Sequence, residues 1–170
     1  WDFIKGNDLT IIVSIMWAII SIRVENKPGI LFKVTHLFRS RNFNIDSLTV
    51  GVMENPEFSK MVITTVGDEK QIVQIVKQLD KMIDTIEVKR LDEKKSVYKE
   101  LALFRIKSNV ESDSTEISKL ANTYGAKIHN GQEGSLIAEL TSTPDKIKAF
   151  EESIKPFGIL DSARTGVTAL

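Results

Sequence analysis

Hydrophobic and polar positions repeat one order of patterns twice along the chain. In the first half, Ile20, Ile22 and Val24 alternate with polar neighbours, which predicts a strand. Apolar residues next recur at helical spacing, and two alternating runs, a second amphipathic helix and a last strand follow. These later elements are centred on residues 30–38, 48–52, 58–66, 72–79 and 86–88. The first half therefore predicts the order βαββαβ.

Turn and capping residues fall between these runs. Pro28 stands where the first residue of a helix should be, since proline has no N–H to lose there. Gly67 and Asp68 end the run at 58–66, and Asp68 is a good N-cap for the helix that follows. Asn55-Pro56-Glu57 predicts the turn between the second and third strands.

The second half repeats the order. A strand at 101–106 precedes a helix that ends at Gly125, a typical C-terminal cap. Strands at 126–128 and 136–140 flank a glycine-containing turn, Thr143-Pro144 opens another helix, and a last strand covers 156–164. The fold class predicted is α+β: two ferredoxin-like βαββαβ units, each an antiparallel sheet with its helices on one face.

Composition narrows the function classes. Hydrophobic residues make up 42% and charged residues 27% of the 170, which is typical of globular proteins. Lys plus Arg and Asp plus Glu are both 23, so the basic excess of a nucleic-acid-binding protein is missing. There is no cysteine, which suits a cytoplasmic protein, and the two histidines, His36 and His129, are far apart. Thiol, zinc-thiolate and triad chemistry are thereby disfavoured.

An uncharged, mostly apolar stretch runs from Leu9 to Ile22. It is shorter than the roughly 20 residues that a membrane helix needs. The apolar region of a signal peptide would be preceded by a basic segment, whereas here Lys5 is accompanied by Asp2 and Asp8. We therefore expect no membrane anchor, and we expect the second half of the stretch to be the first strand.

The loop that follows the first strand carries the most informative chemistry. Gly29 has no side chain, so a ligand can approach the backbone closely. The N–H groups of Gly29, Ile30 and Leu31 would point out of the helix start, where the helix dipole favours a carboxylate. Asn26 adds a side-chain donor and acceptor. This set suits the head group of a free amino acid, although a Pro-Gly helix start by itself is more often only a turn.

Several motifs occur in a fixed order along the chain. The first is Glu25-Asn26-x-x-Gly29-x-Leu31 followed by a helix. The others are the run from Val34 to Val50, with Phe43-Asn44-Ile45-Asp46-Ser47-Leu48-Thr49-Val50 at its end, the run from Ser59 to Asp68, and Lys155-Pro156-Phe157-Gly158-Ile159 with Arg164-Thr165-Gly166 in the tail. Together these motifs resemble the small, regulatory subunit of acetolactate synthase, which opens with an ACT domain. Where that family usually has a glycine before the aromatic-Asn pair, this chain has Asn42, which also tolerates left-handed geometry.

The resemblance implies a domain plan and a ligand set. It implies an N-terminal extension at 1–15, an ACT domain at 16–91 that binds a branched-chain amino acid, a linker at 92–96 and a C-terminal domain at 97–170. The ACT domains of two chains would pair and bind valine, leucine or isoleucine between them. The implied effector contacts are Asn26, Gly29, Ile30, Leu31, Asn44, Ile45 and Val50, with Ile30, Ile45 and Val50 forming an apolar pocket.

The resemblance also implies that the chain is not itself an enzyme. It would activate a catalytic large subunit and confer feedback inhibition on it, while thiamine diphosphate, magnesium and FAD would belong to that subunit. A first alternative is a stand-alone ACT-type amino-acid sensor that regulates another enzyme or a transcription regulator. A second is a small α+β enzyme, which the shortage of His and Cys disfavours.

Overall fold

The computed structural model describes residues 15–108, 111–132 and 134–170. Most of the predicted extension therefore lies outside the described residues, and the first strand already begins at Ile15. The N-terminal unit consists of β1 (Ile15–Glu25), α1 (Ile30–Ser40), β2 (Ser47–Val52), β3 (Phe58–Asp68), α2 (Glu69–Asp80) and β4 (Thr85–Leu91). The C-terminal unit consists of β5 (Tyr98–Lys107), α3 (Glu111–Tyr124), β6 (Lys127–Asn130), β7 (Ser135–Ser142), α4 (Pro144–Ile154), β8 (Ile159–Arg164) and β9 (Thr168–Ala169).

Both units have the predicted βαββαβ order. The strands lie in the order β2-β3-β1-β4 in the first sheet and β6-β7-β5-β8 in the second, and every neighbouring pair is antiparallel. The predicted fold class, α+β with two ferredoxin-like units, is thus confirmed. In the first sheet β2 is an edge strand, hydrogen-bonded to β3 alone among the described strands.

One face of each sheet packs against its helices. In the N-terminal unit, Ile20 and Ile22 of β1 contact Val34 and Phe38 of α1 within a fully buried cluster. This follows from the alternation read in the sequence, which points every second residue of β1 at the helices. The C-terminal unit has its own core, in which the rings of Phe104 and Phe150 meet edge to face with centroids 5.9 Å apart.

The opposite face of the first sheet is covered by the end of the chain. Ile19 and Val62, which point away from the helices, are buried beneath Val167 and Ala169. Ala169 belongs to β9, which pairs with the start of β5. This cover was not predicted, because a two-residue strand at a chain end leaves no periodic signal.

Three predicted boundaries were wrong. The third strand does not stop at residue 66 but continues to Asp68, because β1 extends back far enough to pair with it. The last long strand does not include Pro156, which lies in a short 3-10 helix, Lys155–Phe157. Proline fixes φ and has no N–H to donate to a sheet, so the strand begins only after Gly158. Nor is that strand the last one, since β9 follows it.

Asp68 caps α2, as predicted. Its side chain accepts a hydrogen bond from the backbone N–H of Gln71 at 2.8 Å, and the side chain of Gln71 accepts one from the N–H of Asp68 at 2.9 Å. We expect Asp68→Ala to lower the free energy of unfolding by about 1 kcal/mol, because the first-turn amide loses its acceptor. Urea unfolding followed by circular dichroism measures this. Asp80→Ala, at the other end of α2, is the matched control and should not destabilise the protein.

Candidate functional site

The loop after β1 leads into α1 through a left-handed glycine. Gly29 has φ of +88° and occupies the N-cap position, so α1 begins at Ile30 and not at Pro28. The prediction that Pro28 opens the helix was wrong, because a residue with positive φ cannot be part of a right-handed helix and Gly29 follows Pro28. A Cβ built on Gly29 meets no atom within 4 Å, so this side of the backbone is open.

The start of α1 has no anion of its own. No side chain caps it and its first turn holds no acidic residue, whereas α2 has both Asp68 as a cap and Glu69 in its first turn. The N–H of Ile30 makes a long hydrogen bond of 3.4 Å to the carbonyl oxygen of Lys27. The positive end of the α1 dipole is therefore available to an external carboxylate.

The side chains of Ile30 and Leu31 have different environments. Ile30 is 3% exposed and lies in the core of the N-terminal unit, so only its backbone faces the loop. The expectation that its side chain lines a ligand pocket is therefore wrong. Leu31 is 44% exposed beside Gly29 and offers an apolar surface at the helix start.

The side chain of Asn26 joins the end of β1 to the turn before β3. Its Nδ2 donates to the carbonyl oxygen of Pro56 at 2.9 Å, and its Oδ1 accepts from the Ser59 hydroxyl at 3.1 Å. Its backbone N–H donates to the backbone carbonyl oxygen of Glu57 at 2.7 Å. Asn26 thus positions the loop through hydrogen bonds within the chain, a role that its sequence neighbours do not indicate.

A second group of predicted residues lies after the other end of α1. Asn42 has φ of +57°, the left-handed conformation expected at this turn, and the chain then passes through Asn44 and Ile45 into β2. The Asn44 Nδ2 donates to Asp46 Oδ1 at 3.2 Å, and its carbonyl oxygen accepts from the Thr65 hydroxyl at 2.6 Å. Asn44 and Ile45 border a groove of about 400 Å³, and residues of the second half of α1 line its other side.

The protomer keeps the two groups apart. Helix α1 has 11 residues and is therefore about 16 Å long, with Gly29 before its first residue and Asn44 beyond its last. Strand β2 spans the same gap: it starts at Ser47, three residues after Asn44, and ends at Val52, opposite Ser59, the residue that contacts Asn26. Val50 lies between them on β2, half-exposed and on the helix side of the sheet, opposite Met61.

Other candidate groups are engaged elsewhere. His36 is exposed, and its ring stacks on Phe32 with centroids 5.7 Å apart. His129 is also exposed, and its Nε2 lies 2.8 Å from Oε2 of Glu139. Among the described residues, no group of three or more His, Asp or Glu side chains is arranged to hold a metal ion. The same residues include no helix long and apolar enough to cross a membrane.

Comparisons with known proteins match both units. A family model described as the AHAS small subunit-like ACT domain matches residues 20–87, and one described as the small subunit of acetolactate synthase matches residues 99–170. A probable acetolactate synthase small subunit of Archaeoglobus fulgidus is 44% identical over 89% of this chain and 94% of its own length. The acetolactate synthase small subunit of Bacillus subtilis is 36% identical over 91% of this chain and 90% of its own length.

This chain belongs to the acetolactate synthase small subunit family. The crystal structure of the small subunit from Thermotoga maritima agrees, with a TM-score of 0.82 and 35% identity over 91% of this chain and 96% of that one. Membership supports a regulatory rather than a catalytic subunit, which works with a catalytic large subunit.

The hydrogen bonds of Asn26 predict a stability effect that needs no ligand. We expect Asn26→Ala to lower the free energy of unfolding of this small subunit by about 1–2 kcal/mol, since two side-chain hydrogen bonds disappear. Ser59→Ala removes only one of them and should cost about half as much. Urea unfolding without amino acids measures both. Equal stability of Asn26→Ala and the parent chain would contradict the structural role.

Proposed function

We propose that this chain activates a catalytic acetolactate synthase large subunit and makes it sensitive to valine or another branched-chain amino acid. The observation that carries the proposal is the division of the predicted effector contacts between the two ends of α1, with Val50 on the neighbouring strand β2. Neither end alone surrounds a ligand, and the geometry of an edge strand offers a simple way to bring them together.

The edge strand β2 supports pairing of two copies. An edge strand presents unpaired backbone N–H and C=O groups, and Val50 and Val52 on β2 are exposed apolar residues, 48% and 62%. When two β2 strands pair antiparallel across a twofold axis, the start of one lies beside the end of the other. Asn44 and Ile45 of one copy then approach Asn26 to Leu31 of the second. Symmetry gives two such sites per dimer.

The chemistry of the combined site suits an α-amino acid. The start of α1, with the open Gly29 backbone, takes the carboxylate. The bond from Asn44 Nδ2 to Asp46 orients the amide so that its oxygen can accept from the ligand ammonium group. Leu31, together with Ile45 and Val50 of the second copy, surrounds the branched side chain. Valine, leucine and isoleucine differ by single methylene or methyl groups, which such a pocket separates only weakly.

The partner carries the chemistry of the reaction. Thiamine diphosphate, magnesium and FAD are expected in the large subunit, which condenses pyruvate with pyruvate or 2-oxobutanoate. Feedback requires the effector to bind the active and inhibited states of the complex with different affinity, typically by about 1–3 kcal/mol. We expect the complex in the cytoplasm, where pyruvate is available.

The decisive assay mixes this chain with a catalytic large subunit and titrates valine, leucine and isoleucine. We expect the chain to raise acetolactate formation and valine to reduce it again. Neither activation nor a response to the amino acids would contradict the proposal. Amino-acid binding without any effect on the large subunit would favour a stand-alone sensor of another enzyme or transcription regulator.

In the same assay, Gly29→Asp should abolish most of the valine response and leave activation intact, since a carboxylate at position 29 repels that of the ligand. Two controls separate charge from backbone strain. Gly29→Asn keeps the shape without the charge and should retain more of the response. Gly125→Asp imposes the same strain on another open glycine with φ of +74°, at the end of α3, and should respond like the parent. Full valine inhibition of Gly29→Asp would refute the placement of the carboxylate.

A further inference from the structure

The C-terminal tail, residues 166–170, is bonded to the edge strand β2. Both backbone groups of Val167 are held by hydroxyls of β2: the Thr49 hydroxyl donates to the Val167 carbonyl oxygen at 3.0 Å, and the Val167 N–H donates to the Ser47 hydroxyl at 3.2 Å. The Ser47 hydroxyl also lies 2.7 Å from that of Thr64 on β3. Two residues at spacing i, i+2 thus present hydroxyls to one peptide segment on the face of β2 away from the helices.

The same tail is fixed to the C-terminal unit. Ala169 in β9 pairs with Tyr98 at the start of β5, and Val97 and Leu170 exchange both backbone hydrogen bonds at 2.8 and 2.9 Å. Val167 and Ala169 are 2% and 5% exposed against the first sheet. Five residues therefore tie β2 of the N-terminal unit to β5 of the C-terminal unit.

The contact leaves little room for adjustment. Gly166 has φ of +83°, and a Cβ added there would stand 2.9 Å from the Cβ of Ser47. A larger residue must therefore both strain the backbone and push the tail off β2. The close approach of Gly166 and the two hydroxyls fixes the distance between tail and strand.

We propose that residues 166–170 act as a positioning strap, which holds β2 in the position that the effector site requires and so couples that site to the C-terminal unit. The inference rests on the proposed function and adds Ser47, Thr49 and Val167 to it as positioning residues that do not touch the ligand. Strand β2 has only β3 beside it within the described sheet, and the strap supports it on the face away from the helices. Asn44 and Ile45 lie three and two residues before Ser47, and Val50 directly follows Thr49, so a shift of β2 moves all three.

Coupling through the strap works in both directions. If the docked strap favours effector binding, a bound effector favours the docked strap by the same factor. The C-terminal unit then senses the effector through β5, although none of the proposed effector contacts lies in that unit. Valine is the probe for this linkage, because its binding and the docking of the strap can be measured separately.

The test measures valine affinity by calorimetry on the full chain, and amide hydrogen exchange of residues 166–170 with and without valine. Thr49→Val removes the hydroxyl and keeps the size and β-branching of the side chain, and Gly166→Ala displaces the strap from the other side. Both should weaken valine binding about fivefold or more and speed exchange in the strap. Thr49→Ser keeps the hydroxyl and should bind like the parent. Thr123→Val, which removes a hydroxyl that donates to the Lys119 carbonyl oxygen of the same helix, is the matched control.

The outcomes separate this inference from the proposed function. Parent-like valine affinity in Gly166→Ala, with exchange in the strap accelerated, would overturn the positioning role, as would equal losses in Thr49→Ser and Thr49→Val. If Thr49→Val does not fold, Gly166→Ala decides alone. Gly29→Asp is measured in parallel. If it too binds valine normally, the proposed effector site itself is wrong, whereas loss of binding in Gly29→Asp alone refutes only the strap.

Discussion

The rigid length of α1 is the constraint on which the functional account depends. Because the helix is about 16 Å long, its two ends cannot both touch one small amino acid. Strand β2 runs the same distance on the edge of the sheet and carries one group of predicted effector contacts at its start. In the proposed function a protomer thus holds two half-sites, and antiparallel pairing of two edge strands would join unlike halves from two copies. Sensing and dimerisation become one event in this account.

The environment of the first half-site explains why a carboxylate would bind at one helix start and not at the other. In α2, Asp68 and Glu69 already supply negative charge and Gln71 completes the cap. In α1, Gly29 gives the backbone an open approach and the first turn contains no acid. The two helices have similar lengths and both pack on the same sheet, so the difference lies in local sequence alone.

Much of this structure could be predicted from sequence, for physical reasons that differ by element. The alternation of Ile20, Ile22 and Val24 and the cap at Asp68 are local signals, so the βαββαβ order and the class of fold were read correctly. The ligand residues came from a resemblance, and the effector contacts remain a prediction. Contacts between residues distant in the chain leave no local pattern in the sequence. Examples are the hydrogen bonds of Asn26 to Pro56 and Ser59 and that of Thr49 to Val167, which depend on tertiary packing. Ile30 was misread because a buried and a ligand-facing isoleucine look alike in one sequence.

Complementation between two defective chains tests the central claim, that each effector site combines residues of two copies. Gly29→Asp and Asn44→Ala damage opposite halves, so each homodimer should bind little valine. In a mixed dimer, one site receives both damaged halves and the other receives two intact halves. Random mixing should therefore restore about a quarter of the parent's valine-binding sites at parent affinity, as measured by calorimetry after joint refolding. A mixture that binds no more valine than the two homodimers would contradict the account.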